Sequence, residues 1–93
     1  MEQVKFLESA LTTSIIITLH DHEGALMKSA LAKEVGTSSG TVDRRYKELE
    51  ELGIIRIEKR GRMKNEGHWV SLTEKGYTVA EHLIAIDRLL QEP

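Results

Sequence analysis

Ninety-three residues with 40% hydrophobic and 30% charged side chains, one proline and no cysteine describe one small folded domain without disulfides, thiolate metal ligands or cysteine nucleophiles. Uninterrupted apolar runs, such as Ile15 to Ile17, reach at most four residues, far below the roughly 20 of a spanning helix, and no basic stretch followed by an apolar one opens the chain, so a cytoplasmic protein is expected. The net charge of -2 hides an uneven distribution: residues 41–64 carry eight Lys/Arg against five Asp/Glu, while the segments on either side are acidic.

Apolar residues at Val4, Leu7, Leu11, Ile15 and Leu19 step by three and four, which predicts a helix from Val4 to about His20. Within it, Thr12 to Thr18 is rich in β-branched residues, so a strand is the competing assignment there. His20-Asp21-His22-Glu23-Gly24 reads as a polar stop with Gly24 as cap or turn residue. Four potential ligands so close in one chain cannot all converge on a metal, and none is assigned.

After an extended piece from Ala25 to Lys28, Ser29 is expected to cap a two-turn helix that buries Leu31, Ala32 and Val35 and stops at Gly36. Thr37-Ser38-Ser39-Gly40 forms a polar turn. A longer helix then runs from Thr41 to Leu52, with Ser38 as its N-cap, Val42, Tyr46, Leu49 and Leu52 on one face and Gly53 as the stop. Ile54 to Arg60 and His68 to Leu72 have strand character and should pair as a hairpin with a long basic tip, Gly61 to Gly67. Thr73 caps a final helix to about Leu90, whose stripe is Val79, Leu83, Ile86 and Leu90, flanked by Ala80, Ile84 and Leu89.

Two helices joined by a four-residue polar turn are the parts of a helix-turn-helix, whose second helix can enter the major groove. The outward side of that helix carries Ser39, Gly40, Asp43, Arg44 and Lys47. Arg44 can fork two hydrogen bonds to a guanine edge, and Asp43 can accept from a cytosine amino group or orient Arg44. Ser38, Ser39 and Thr41 suit phosphates. The hairpin that follows puts five cations, Arg56, Lys59, Arg60, Arg62 and Lys64, within nine residues, enough to track a backbone or enter a minor groove. Tyr46 and Trp69 fit core positions better than a base-stacking platform.

The order helix, helix, turn, helix, two-stranded wing, helix, together with Ala30 to Ile55 (ALAKEVGTSSGTVDRRYKELEELGII) and Leu72-Thr73-Glu74-Lys75-Gly76, resembles winged helix-turn-helix transcription regulators, especially MarR-like and related small archaeal ones. The resemblance covers about residues 15–80. It implies a mainly helical α+β fold: a three-helix core, a two- or three-stranded β-wing and a C-terminal helix, forming one domain over residues 1–93. It makes Thr37 to Leu52 the turn and recognition helix. It puts Ser39, Gly40, Thr41, Arg44 and Lys47 nearest the DNA and makes Arg60, Arg62 and Lys64 the wing contacts; with Ser38, Asp43, Arg45 and Lys59 these are the DNA-binding residues expected.

The expected partner is double-stranded DNA. A homodimer is expected through Leu7, Leu11, Val79, Leu83, Ile86 and Leu90, with the helix of about residues 73–90 as its main element; this presents two recognition helices about 34 Å apart. The competing reading is a winged-helix module that binds another protein. No cofactor and no catalytic residues are expected, since no nucleophile–base pairing or phosphate-binding glycine pattern occurs. Larger MarR-like proteins have longer dimerisation arms, and the single terminal helix here is expected to leave little room for an effector pocket.

Overall fold

The computed structural model describes residues 2–37, 39–59 and 67–92. The chain opens with a 3-10 helix, Glu2–Glu8, followed by α1 (Ala10–Asp21), β1 (Ala25–Met27), α2 (Lys28–Val35), α3 (Ser39–Glu51), β2 (Ile55–Lys59), β3 (His68–Leu72) and α4 (Glu74–Gln91).

The single helix expected from Val4 is broken at Ser9, which takes an extended conformation. The Thr12 hydroxyl donates to the Phe6 carbonyl and lies 2.8 Å from the Ser9 carbonyl. These carbonyls are thereby drawn into a side-chain turn, the alternative to a helical ladder that threonine offers. The β-branched run beyond it is helix, not strand. Thr12, Ile15, Ile16 and Leu19 are fully buried at a helical spacing, and tertiary packing outweighs the propensity deficit of a few tenths of a kcal/mol per β-branched residue, about 0.5.

At the end of α1, Glu23 and Gly24 both adopt positive φ, 61° and 90°, and the Gly24 amide bonds the Leu19 carbonyl at 2.7 Å. The chain thus reverses into β1. Helix α2 starts at Lys28, directly off the strand, with Met27 and not Ser29 as its N-cap, and closes at Gly36 in the left-handed conformation. Helix α3 begins at Ser39, two residues earlier than its apolar stripe requires. Its cap position, Ser38, lies outside the described residues.

The sheet has three antiparallel strands in the order β1-β3-β2. Leu26 and Ile57 both stand opposite Val70, Met27 and Glu58 opposite Trp69, and Ile55 opposite Leu72. Val70 and Leu72 point into the core. Of Trp69 and Val70, neighbours on the strand of which one must face outward, Val70 takes the buried side and Trp69 lies on the other face, partly exposed.

The core gathers Phe6, Ile15, Ile16, Leu19, Leu31, Val42, Tyr46, Leu49, Ile54, Ile55, Val70, Leu72 and Ala80 from every element but β1, with Leu26 of β1 packed against its edge. Each large aliphatic residue contributes about 1.5–3 kcal/mol by leaving water. Thr73 joins the hairpin to α4. Its hydroxyl accepts from the Gly76 amide at 3.0 Å and lies 2.5 Å from the Gly53 carbonyl, and its own amide bonds Ile54 at 3.0 Å.

Candidate nucleic-acid interface

The core-facing stripe Val42, Tyr46 and Leu49 determines what α3 can present. All three are buried, which leaves Thr41, Asp43, Arg44 and Lys47 exposed. Ser39 and Gly40 form the first turn of the helix.

These residues are not equivalent. Asp43 does not face Arg44 as an orienting partner: its carboxylate lies 2.6 Å from the Lys28 ammonium at the start of α2. Arg45 is half-buried, and Glu48 holds it at 3.3 Å one turn further on. Arg44 has no acidic partner among the described residues. Together with Thr41, Arg45, Ser9 and Leu11 it lines a hollow between α3 and the break that precedes α1.

Beneath this surface the Tyr46 hydroxyl is buried without a hydrogen-bond partner among the described residues. Burial, and secondarily the nearby Asp43 carboxylate, push its pKa up to about 12. The Lys28 ammonium stands 5.7 Å from the centre of its ring. Lys28 was not recognisable from the sequence: it belongs to a different helix, fifteen positions from Asp43, and no local pattern links them.

On the wing, Lys59 is exposed at the end of β2, and Arg56 is held by Glu58 at 2.9 Å. Arg60, Arg62 and Lys64, like Ser38, lie outside the described residues. The polar stop after α1 is a structural corner. His20 packs edge-on against Tyr77, whose hydroxyl donates to the Glu23 carbonyl, and His22 lies 3.9 Å from Glu34. Among the described residues no helix is long and apolar enough to cross a membrane.

The six residues expected at a dimer interface are distributed over three hollows, two of which share Leu83 and Ile86. Leu7, Val79, Leu83 and Ile86 line one apolar groove of about 360 Å³ between the N-terminal 3-10 helix and α4, with Lys75 and His82 also in its lining. Leu90 lines a second apolar depression with Thr13, Ile17 and Ile84, and Leu83 and Ile86 line this one too. Leu11 lies apart from both, in the hollow beside Arg44. The last turns of α4 leave the domain: Ile86, Leu89 and Leu90 are 50%, 65% and 80% exposed, whereas Ala80, a flanking residue by spacing, is fully buried.

Comparison with known proteins places this architecture. Residues 11–56, just under half of the chain, match the family model described as winged helix-turn-helix DNA-binding. No curated protein matches at a significant level. Among solved structures, AF1382 from Archaeoglobus fulgidus aligns with a TM-score of 0.75 at 20% identity, over 88% of this chain and 89% of that one. AbsC, a MarR family transcriptional regulator from Streptomyces coelicolor, aligns with a TM-score of 0.76 at 20% identity, over 90% of this chain and 60% of its own. Reduced AbfR bound to DNA aligns with a TM-score of 0.73 at 20% identity, over 89% and 57%. The chain thus spans little more than half the length of AbsC and AbfR, and most of the archaeal one. Its fold is the winged helix-turn-helix fold of these structures.

Proposed function

We propose that the protein is a transcriptional regulator that binds double-stranded DNA as a homodimer, with α3 in the major groove and the β2–β3 wing on the flanking backbone. The observation that carries this reading is the exposed face of α3, Thr41, Arg44 and Lys47, in a segment that matches the DNA-binding winged helix model and is followed in the chain by a basic hairpin. A helix about 10–12 Å across fits the major groove, and its outward polar groups then meet base edges and phosphates. One structural relative, AbfR, is bound to DNA, and another, AbsC, is described as a transcriptional regulator. No catalytic step enters this reading.

The apolar surface along α4 supports the dimer. Ile86, Leu89 and Leu90 form more exposed hydrocarbon than a lone domain of this size ordinarily leaves on one helix end. A second copy packed there about a two-fold axis covers it and sets the two recognition helices on one side of the duplex.

The test is a fluorescence-anisotropy titration of the protein with duplex from the region upstream of its own gene and with random duplex, at two salt concentrations. With about six phosphate contacts, log K falls with log salt at a slope near -5, on the order of 0.9 per contact. The double variant Arg44→Ala, Arg62→Ala should weaken binding. A protein that ignores every duplex at low salt is not a DNA-binding regulator, and the α4 surface then becomes the site of a protein partner.

A further inference from the structure

We infer that Arg44 and Arg45 seat one backbone phosphate of the bound duplex in the hollow beside Ser9, and that Arg44 does not read a base; this rests on the DNA-binding reading above. Positions 41, 44, 45 and 48 follow the helical steps of three and four and so occupy one flank of α3, the flank turned toward the start of α1. The other flank carries Asp43, which is tied to α2 through Lys28. The hollow on the first flank is lined by Ser9, Leu11, Thr41, Arg44 and Arg45: two guanidinium groups, two hydroxyl residues and one apolar side chain, with no carboxylate among them. Ser9 precedes α1 yet makes no capping bond with its side chain. Arg45 forms the wall between this hollow and a second one that holds Lys5, Glu8 and Glu48, and Glu48 keeps its guanidinium in place.

Converging donors in a recess match the chemistry of a tetrahedral phosphodiester, whose charged oxygens project from the backbone. A guanine edge is planar and lies on the groove floor, where a residue on the open face of α3 meets it. Lys47, exposed and one turn beyond Asp43 on the same side of α3, lies away from this hollow. Arginine binds phosphate through paired charge-assisted hydrogen bonds, and the apolar Leu11 beside them reduces competition from water. The recess would not exist if one helix ran unbroken from Val4, because the break at Ser9 opens it.

The experiment compares wild type, Arg44→Ala, Arg45→Ala and the corresponding lysine variants by anisotropy on specific and random duplexes over a range of salt, with thermal melts as a check of folding. Expected is a loss of about tenfold for each alanine variant, equal on both duplexes, with the slope of log K against log salt reduced by about 1 and most binding recovered by lysine. A loss confined to the specific duplex with unchanged slope overturns the inference, since that is the mark of base reading. So does wild-type binding of both duplexes that neither variant alters. Should Arg45→Ala unfold through loss of Glu48, Arg44→Ala decides alone, as Arg44 has no acidic partner among the described residues. Inorganic phosphate that competes with duplex far better than chloride at equal ionic strength, with no change in slope in the variants, identifies a free-phosphate site and overturns the DNA assignment. Failure of the wild type to bind any duplex defeats the regulator reading itself, and this inference with it.

Discussion

The Lys28 ammonium and the Asp43 carboxylate, 2.6 Å apart, clamp the first residue of α2 to the second turn of α3. Both side chains are partly exposed, so the pair adds no more than about 1 kcal/mol to stability. On the proposed DNA-binding reading its larger effect is on recognition, because it holds the exposed Asp43 carboxylate in a pair with Lys28 and away from a cytosine amino group.

Asp43→Ala should therefore lower the melting temperature by only a few degrees, about 4–8 °C at most for 1 kcal/mol in a domain of this size. It should also raise affinity for random duplex, since a negative charge is lost and Lys28 is released. Melting curves and anisotropy check the two effects separately. Loss of affinity for the specific duplex alone would instead make Asp43 a base-reading residue.

Gly76→Ala tests the join between hairpin and helix. Alanine is the better helix former by about 1 kcal/mol, which taken alone predicts stabilisation. A Cβ at Gly76, however, would lie 2.1 Å from the Ile54 carbonyl oxygen, a backbone atom that is also bonded to the Thr73 amide. Overpacking of this kind costs about 1–3 kcal/mol, so net destabilisation is expected in urea unfolding.

Tyr46 gives a pH prediction. Its hydroxyl is buried and unpaired among the described residues, so Tyr46→Phe should be neutral or stabilising, because it removes a desolvated polar group. The folded-state pKa of about 12 lies above the value of 10.0 in the unfolded chain. Below pH 10 both states are protonated and this group leaves stability unchanged. Between about pH 10 and 12 the unfolded chain ionises first, so the wild type loses stability as pH rises through that window. Chemical denaturation at pH 9 and pH 11 should show this loss in the wild type and a smaller one in Tyr46→Phe.

The apolar end of α4 predicts oligomeric state. Replacing both Ile86 and Leu90 by Glu places charges on an exposed surface, so the fold should survive with an unchanged circular dichroism spectrum. Sedimentation velocity should then show a monomer where the wild type sediments as a dimer. A wild type that is monomeric at high concentration would remove the dimer from the proposed function.

Much of this architecture was legible in the order of residues because it depends on short-range chemistry. The stripe Val42, Tyr46, Leu49 gave the buried face of α3, Gly36 the left-handed end of α2, Thr73 the cap of α4, and the alternation around Val70 the hairpin. Each of these follows from helical or strand periodicity, or from one side chain acting on backbone a few residues away. Other features depended on groups far apart in the chain. The break at Ser9 needs the Thr12 hydroxyl turned back onto the carbonyls before it, and the Lys28–Asp43 clamp needs α2 and α3 docked. Packing against neighbouring elements likewise decided that Val70 and not Trp69 is buried, and that Ala80 is core while Ile86 is not. Periodicity states that one face of an element is covered, but only the neighbouring elements decide where that cover ends. This is why the hollow beside Arg44 and the exposed end of α4 could be found only in the tertiary structure.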